Sequence, residues 1–200
     1  PDWFPDASVW SGYGIGYGAL PAVPGREYQA FARVPGARQP HRVLAQVPDA
    51  FDAGARCLVV TASSGSRGAY GAMAIAAAWG LPRGCAVVHT DKGTGTGFYD
   101  VDSETGVALD GTRAARGTVA LEFEPETTGA PAHAVAIKHA HSGDNPEADW
   151  GRHVLQAAHF GLHALDLAFP AQAPFTAQNT RIIAAGISNA AGAVLRAGEL

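Results

Sequence analysis

The stretch that decides the predicted fold is RIIAAGISNAAG, residues 181–192. Its first part, Ile182 to Ala185, is a short apolar run of the length of a buried strand. A tight corner over Gly186 to Asn189 follows, and the small residues from Ala190 onward favour a helix. A strand, a sharp turn that carries serine and then a helix of small residues are typical of a nucleophile elbow. We therefore predict Ser188 as the nucleophile of an acyl-transfer reaction.

The residues around Ser188 suit attack on an ester carbonyl. A serine hydroxyl is a weak nucleophile and needs a neighbouring base. The N–H groups at a helix start can hold the oxyanion that forms, so we expect Asn189 N–H to be one donor. The usual pattern is G-x-S-x-G, and Ala190 stands at its last position here. Taken alone, the motif also fits an ordinary strand-to-helix turn with an incidental serine.

Length and composition limit the class of protein. The 200 residues suit one domain with a sizeable core, and the hydrophobic content of 47% with 16% charged residues is typical of a globular chain. The net charge is −4, and no basic stripe indicates nucleic-acid binding. The longest apolar stretch, residues 69–81, is broken by glycines and is too short to cross a bilayer. No charged segment followed by an apolar run opens the chain, as it would in a signal peptide.

Proline-bounded and apolar runs predict the first half of a sheet. Residues 27–34 and 41–47 predict an antiparallel hairpin at the sheet edge. Compact apolar runs over 57–61 and 85–90 predict neighbouring buried strands, with a helix over 69–79 between them. Strand, helix and strand in this order form a right-handed crossover. The runs begin with Cys57 and Cys85, for which two reduced thiols are the simpler interpretation, although a disulfide stays open.

The second half of the chain predicts a long connection and a long helix. Residues 98–147 are interpreted as mostly irregular, with a short strand over 134–137. A helix follows from Pro146, capped by Asn145, to about Phe169. This order of strands and helices matches the first part of an α/β-hydrolase fold. We expect an α/β fold with a mostly parallel central sheet and an antiparallel N-terminal edge hairpin, as a single domain over residues 1–200.

Three loops are expected to meet past the carboxyl ends of the predicted parallel strands. Besides the Ser188 corner, these are the loop of Ser64 and Gly65, where one backbone N–H would be the second oxyanion donor, and the loop that begins at Asp91. We expect Asp91 to support the site by accepting backbone hydrogen bonds. The Ser64 loop is equally consistent with a simple connection capped by serine, and Ser66 is a rival nucleophile.

Other motifs point weakly to metal or nucleotide chemistry. Asp100, Asp102 and Glu104 alternate as in calcium loops, but the glycine that should follow is Thr105, so a solvated acidic loop is preferred. The glycine-rich residues 91–97 lack the G-K-[ST] of a phosphate loop, and the alternating glycines of 12–18 lack the dinucleotide fingerprint.

Two histidine pairs are candidate metal ligands, but neither has an accompanying carboxylate motif. They are His139 with His141 and His159 with His163. The first pair is the basis of an alternative, a metal-assisted hydrolase. The preferred prediction contains no metal and no cofactor.

Several separated blocks resemble the bacterial D-(−)-3-hydroxybutyrate oligomer hydrolases. They are TASSGSRGAYG at 61–71, GCAVVHTDKGTGTG at 84–97, DGTR at 110–113, KHAHSGDNPEADWG at 138–151 and Ile-Ser-Asn at 187–189. The resemblance runs from about residue 49 to the end, and it implies a serine esterase that cleaves short 3-hydroxybutyrate oligomers from the storage polyester into monomers. It places the family's charge-relay serine on Ser188, although Ala190 and Ala191 stand where the family usually has glycines.

The resemblance also implies a longer, exported protein. In α/β-hydrolases the catalytic acid and histidine follow the serine, and only twelve residues follow Ser188. We therefore expect the remainder of a longer polypeptide to supply the Asp and His, and a secreted or periplasmic location. The Asp91 loop is more distantly similar to the tannase and feruloyl esterase group, whose cysteine before the nucleophile is Ile187 here. An esterase of that type and a non-catalytic binding module remain alternatives.

Overall fold

The computed structural model describes residues 22–65, 67–95, 97–138 and 144–200. The strands of this part are β1 (Gly25–Ala32), β2 (His41–Pro48), β3 (Cys57–Ala62), β4 (Ala86–Thr90), β5 (Phe98–Asp100), β6 (Thr105–Val107), β7 (Arg113–Ala115), β8 (Val135–Ile137) and β9 (Arg181–Ala185). The α-helices are α1 (Met73–Gly80), α2 (Pro146–Ala168) and α3 (Asn189–Ala197), and short 3₁₀ turns lie at Ala69–Ala72 and Leu81–Arg83.

The strands form two sheets, and neither is mostly parallel. The five-stranded sheet has the order β1-β2-β4-β3-β9, in which β3 is parallel to β4 and β9 while β2 is antiparallel to β1 and β4. The four-stranded sheet, β7-β6-β5-β8, is antiparallel throughout. The expected mostly parallel α/β-hydrolase sheet is therefore wrong. Strands buried on both faces are typical of parallel sheets, but β2 is buried along almost all its length and still runs antiparallel to both of its neighbours.

The connection predicted over 98–147 is mostly irregular, as expected, but three of its short strands, β5, β6 and β7, were not predicted. It contains β5 to β8, each only three residues long, which pack around the buried side chains of Tyr99, Leu121 and Phe123. Strands this short are below the length at which alternation can be recognised. The short strand expected near residues 134–137 is present as β8.

The edge hairpin and the long helix were predicted correctly. Strands β1 and β2 pair antiparallel at the edge of the larger sheet. Helix α2 begins after Asn145, whose side chain accepts a hydrogen bond from Ala148 N. The helix expected over 69–79 is divided into a 3₁₀ turn and α1.

Helices cover both faces of the larger sheet. The apolar stripe of α2 packs on one face, where Leu162 and Leu165 join the buried side chains of Leu58 and Val88. On the other face α1 covers Val59 and its neighbours. Within the described ranges, no helix has the length and apolarity needed to cross a membrane.

Cys57 and Cys85 form a disulfide, with their Cα atoms 4.6 Å apart. The preferred interpretation of two reduced thiols was therefore wrong. Strand β3 is parallel to β4 in a register that pairs Leu58 with Ala86. Cys57 directly precedes Leu58 and Cys85 directly precedes Ala86, so this register places the two thiols side by side.

Candidate active site

The corner between β9 and α3 holds Ser188 in an uncommon backbone conformation. Ser188 has φ 54° and ψ −134°, and its side chain lies at the exposed surface. A positive φ in a residue with a Cβ costs about 1 to 3 kcal/mol and persists only where the surroundings enforce it. Here the first turn of α3 closes at once, because Ala191 N donates to Ser188 O at 3.0 Å.

The corner is tight because Gly186 lies against the first turn of α3. A Cβ on Gly186 would lie 2.5 Å from the carbonyl oxygen of Ala190, which is closer than real Cβ contacts. Ala190 itself is fully buried. The structure thus accommodates the methyl group of Ala190 where the usual motif has glycine. The residue at which helix and strand come closest is Gly186.

The side chain of Asn189 joins this corner to the loop after β3. Its Oδ1 accepts a hydrogen bond from Gly65 N at 3.0 Å and a second from Ser64 Oγ at 3.3 Å. Two of the three segments expected at the site therefore do meet. Gly65 N–H, one of the two oxyanion donors that the sequence left open, is therefore occupied by Asn189.

Asp91 accepts backbone hydrogen bonds, as expected, and it is fully buried. Its Oδ1 accepts from Arg42 N at 3.1 Å and from Gly93 N at 2.9 Å, and its Oδ2 lies 3.8 Å from Lys138 Nζ. The buried carboxylate of Asp91 thus links the start of β2 to the loop after β4. A group in this position can hold the loop but does not face a substrate.

The loop after β4 also contacts the Ser64 loop directly. Lys92 Nζ donates to Ser63 O and, at 3.3 Å, to Gly65 O, while Thr94 Oγ1 lies 3.1 Å from Gly65 O. All three predicted segments are therefore connected. Lys92 was not predicted as a site residue, although the chain has only two lysines, Lys92 and Lys138. Both are buried in the structure.

A cavity of about 340 Å³ opens beside the end of the Ser64 loop, between β1, the 3₁₀ turn at Ala69–Ala72 and the second sheet. The ion pair of Arg42 and Glu122, 3.6 Å apart and largely buried, forms part of its wall. Burial raises the pKa of Glu122 above its ordinary value, and this is partly opposed by the charge of Lys138. Asp110 and Gly111, from the DGTR block, line the same cavity.

Comparison with known proteins identifies the family. A sequence profile described as 3HB-oligomer hydrolase (3HBOH) matches residues 13–200. The chain belongs to the 3HB-oligomer hydrolase family. It is 43% identical over 195 residues to a D-(−)-3-hydroxybutyrate oligomer hydrolase of Cupriavidus metallidurans, a match that covers 88% of this chain and 27% of that protein. The resemblance inferred from the sequence blocks is thus confirmed.

Other relatives of the 3HB-oligomer hydrolase family agree. The protein of that name from Paracidovorax citrulli is 40% identical over 195 residues, covering 88% of this chain and 27% of the relative. The Ralstonia pickettii protein of that name is 39% identical over 211 residues, covering 97% of this chain and 27% of the relative. The chain therefore spans little more than a quarter of these relatives. No solved structure gave a significant match.

The histidines in the described part of this 3HB-oligomer hydrolase chain do not form a metal site. The rings of His41 and His153 contact each other with centroids 4.5 Å apart and planes tilted by 47°, and burial lowers the pKa of both, that of His153 to about 3. His159 and His163 are exposed on α2. In the described ranges, no group of three or more side chains is placed to bind a metal ion. His139 and His141, like Ser66 and the glycines of 12–18, lie outside those ranges.

The other motifs make local structural contacts in this chain. Asp100 accepts from Ser103 N at 3.0 Å, and the hydrogen bonds of Ser103 lower the pKa of Asp100. Asp102 holds the ring of His133 at 2.8 Å. Gly95 packs against the carboxylates of Asp91 and Glu122, and a Cβ there would lie 2.5 Å from Glu122 Oε1. This glycine therefore provides close packing, and it does not open a cradle for phosphate.

Proposed function

We propose that this chain carries the nucleophilic serine of an esterase that hydrolyses 3-hydroxybutyrate oligomers to monomers. The observation that carries the proposal is the backbone of Ser188, held at positive φ at the entry to a helix and joined to the Ser64 loop through Asn189. A sharp, strained turn of this kind exposes a serine Oγ at the end of a strand. The substrate class is taken from the names of the relatives.

The reaction proceeds in two steps. A histidine from the remainder of the polypeptide accepts the proton of Ser188, whose Oγ forms a bond to the ester carbonyl carbon. The oxyanion is held by the N–H groups of Asn189 and Ser64, and the ester C–O bond then breaks as the alcohol leaves with a proton from the histidine. Water attacks the acyl-enzyme in the same way and releases the second product. An aspartate outside this chain orients the histidine.

The cavity beside the Ser64 loop is the proposed location for part of the oligomer. Its volume of about 340 Å³ lies at the lower end of the range for small-ligand pockets. Its wall combines the apolar side chains of Val107 and Leu109 with polar side chains, among which Gln29 and Tyr70 can donate hydrogen bonds to the ester oxygens of the oligomer.

Labelling with a fluorophosphonate probe, followed by peptide mapping, tests the nucleophile. The experiment uses the longest polypeptide that contains this sequence. We expect the probe on Ser188, loss of labelling and of oligomer hydrolysis in Ser188→Ala, and labelling retained in the matched control Ser103→Ala. Labelling at another residue, or a Ser188→Ala variant with full activity, would overturn the proposal. Feruloyl and galloyl esters as alternative substrates test the tannase-type reaction.

We further propose that the protein is exported. The Cys57–Cys85 disulfide supports this, because disulfides persist in oxidising compartments and are rare in the cytosol. Cell fractionation tests the location. Recovery of the protein in the cytosolic fraction with both thiols reduced would contradict it.

A further inference from the structure

The loop after β4 places a buried ammonium under the proposed oxyanion donor. Lys92 has no exposed surface, and its Nζ donates to the carbonyl oxygens of Ser63 and Gly65. Lys92 itself has φ 58°, its N–H donates to Thr90 Oγ1 at 3.2 Å, and its Nζ lies 4.9 Å from the ring centroid of Trp150. The side chain is thus fixed at its base and at its end.

We propose that Lys92 is a positioning residue, which fixes the peptide between Ser63 and Ser64 so that Ser64 N–H is directed toward the substrate oxyanion at Ser188. This inference rests on the proposed function. It concerns a residue to which the family match assigns no role.

The peptide plane supplies the first step. The carbonyl of Ser63 and the N–H of Ser64 belong to one planar trans peptide group, in which they point in opposite directions. Because the carbonyl points to the buried Nζ of Lys92, the N–H of Ser64 points away from the protein interior. An N–H held in this way is preorganised, which is the condition for effective stabilisation of an oxyanion.

The second step is the connection to Ser188. Ser64 Oγ lies 3.3 Å from Oδ1 of Asn189, the residue next to the nucleophile. Thr94 Oγ1, at 3.1 Å from Gly65 O, holds the same loop from the same side as Lys92. The loop is therefore held between the corner and the residues after β4, and Lys92 supplies a charged contact to it.

The charge of Lys92 makes the pH profile of kcat a test of the proposal, because a purely structural residue would leave that profile unchanged. Burial lowers the pKa of Lys92 to about 8, and the charge of Asp91 partly opposes this shift. The other titratable group facing Lys92 is His153 from α2, which is neutral near pH 7 because burial lowers its pKa to about 3. As pH rises through about 8, the ammonium loses its charge and its hydrogen bonds to the carbonyls weaken.

The test measures kcat, KM and the pH profile of oligomer hydrolysis in the longest polypeptide that contains this sequence. We expect Lys92→Met to lower kcat about 10- to 100-fold with KM nearly unchanged, because the loop loses its orientation but not its contacts with substrate. Lys92→Arg, which stays charged, should recover part of kcat and remove the loss of activity above about pH 8.

Arg83→Met is the control, since the guanidinium of Arg83 donates to Trp79 O at 2.9 Å and does not contact the Ser64 loop. It should leave kcat and the pH profile unchanged. A Lys92→Met variant with normal kcat and an unchanged pH profile would overturn the inference. If that variant does not fold, Lys92→Arg decides: loss of the decline in activity above about pH 8 supports the inference, and a pH profile identical to that of the wild type overturns it. Fluorophosphonate labelling separates the two proposals, because an unlabelled Ser188 in the wild type refutes the proposed function itself.

Discussion

The tight approach of α3 to β9 can be tested at Gly186. In Gly186→Ala, the new Cβ would lie 2.5 Å from Ala190 O, 2.7 Å from Ala190 C and 2.9 Å from Ala191 N. All three are backbone atoms, so no side chain can rotate away and the first turn of α3 must move by roughly half an ångström or more. Overpacking of this kind typically costs about 1 to 3 kcal/mol of unfolding free energy. The displacement also moves Ser188, so its reaction with a fluorophosphonate should slow about tenfold or more.

Gly192→Ala is the matched control in the same helix. Gly192 is exposed, and a Cβ there would meet nothing within 4 Å. Replacing a glycine inside a helix by alanine should stabilise the protein by about 0.5 to 1 kcal/mol and leave the labelling rate unchanged. Urea unfolding midpoints and labelling rates of both variants check the pair. If Gly186→Ala matches the control in both measurements, the packing argument for the corner is refuted.

Three further predictions concern the disulfide, the buried histidines and the Asn189 link. Replacing Cys57 and Cys85 by alanine should lower the unfolding free energy by roughly 3 to 4 kcal/mol, because the sequence separation of 28 sets the chain entropy that the crosslink removes. Burial lowers the pKa of His89 to about 4 and that of His153 to about 3, so the unfolded chain binds more protons below pH 6.5. Stability should therefore be complete above about pH 6.5 and fall toward acid, by roughly 2 kcal/mol per histidine at pH 5. Asn189→Ala should reduce kcat about tenfold, whereas Asn189→Asp, which keeps the acceptor oxygen, should lose less.

Each of these has a measurement that can contradict it. Equal urea midpoints for the wild type and the double cysteine variant would show that the crosslink contributes nothing. For the histidines, His89→Gln should flatten the loss of stability between pH 7 and pH 5, and an unaltered slope would reject that histidine as a cause. Equal kcat values for Asn189→Ala and the wild type would mean that Asn189 does not position the loop.

Much of the candidate site could be predicted from local sequence. The small residues after Ile183 predicted the corner at Ser188, and the loops that meet it were expected because each follows an apolar run. Lys92 was missed because its proposed role depends on burial and on which carbonyls it contacts, and a single side chain in a glycine-rich loop reveals neither. The role of Asp91 was accessible because a short carboxylate just after a strand commonly accepts nearby backbone N–H groups.

The amino-acid sequence by itself determined the family, the buried strands β3 and β4, the long helix α2 with its Asn145 cap and the corner at Ser188. These are local properties, since apolar periodicity, caps and turn residues act within a few positions along the chain. Only the tertiary structure decided that β2 lies antiparallel between β1 and β4, that residues 98–138 form a second sheet, and that Cys57 meets Cys85. Strand direction and register depend on pairing between distant segments, and the free energy of that pairing is not encoded in either segment alone.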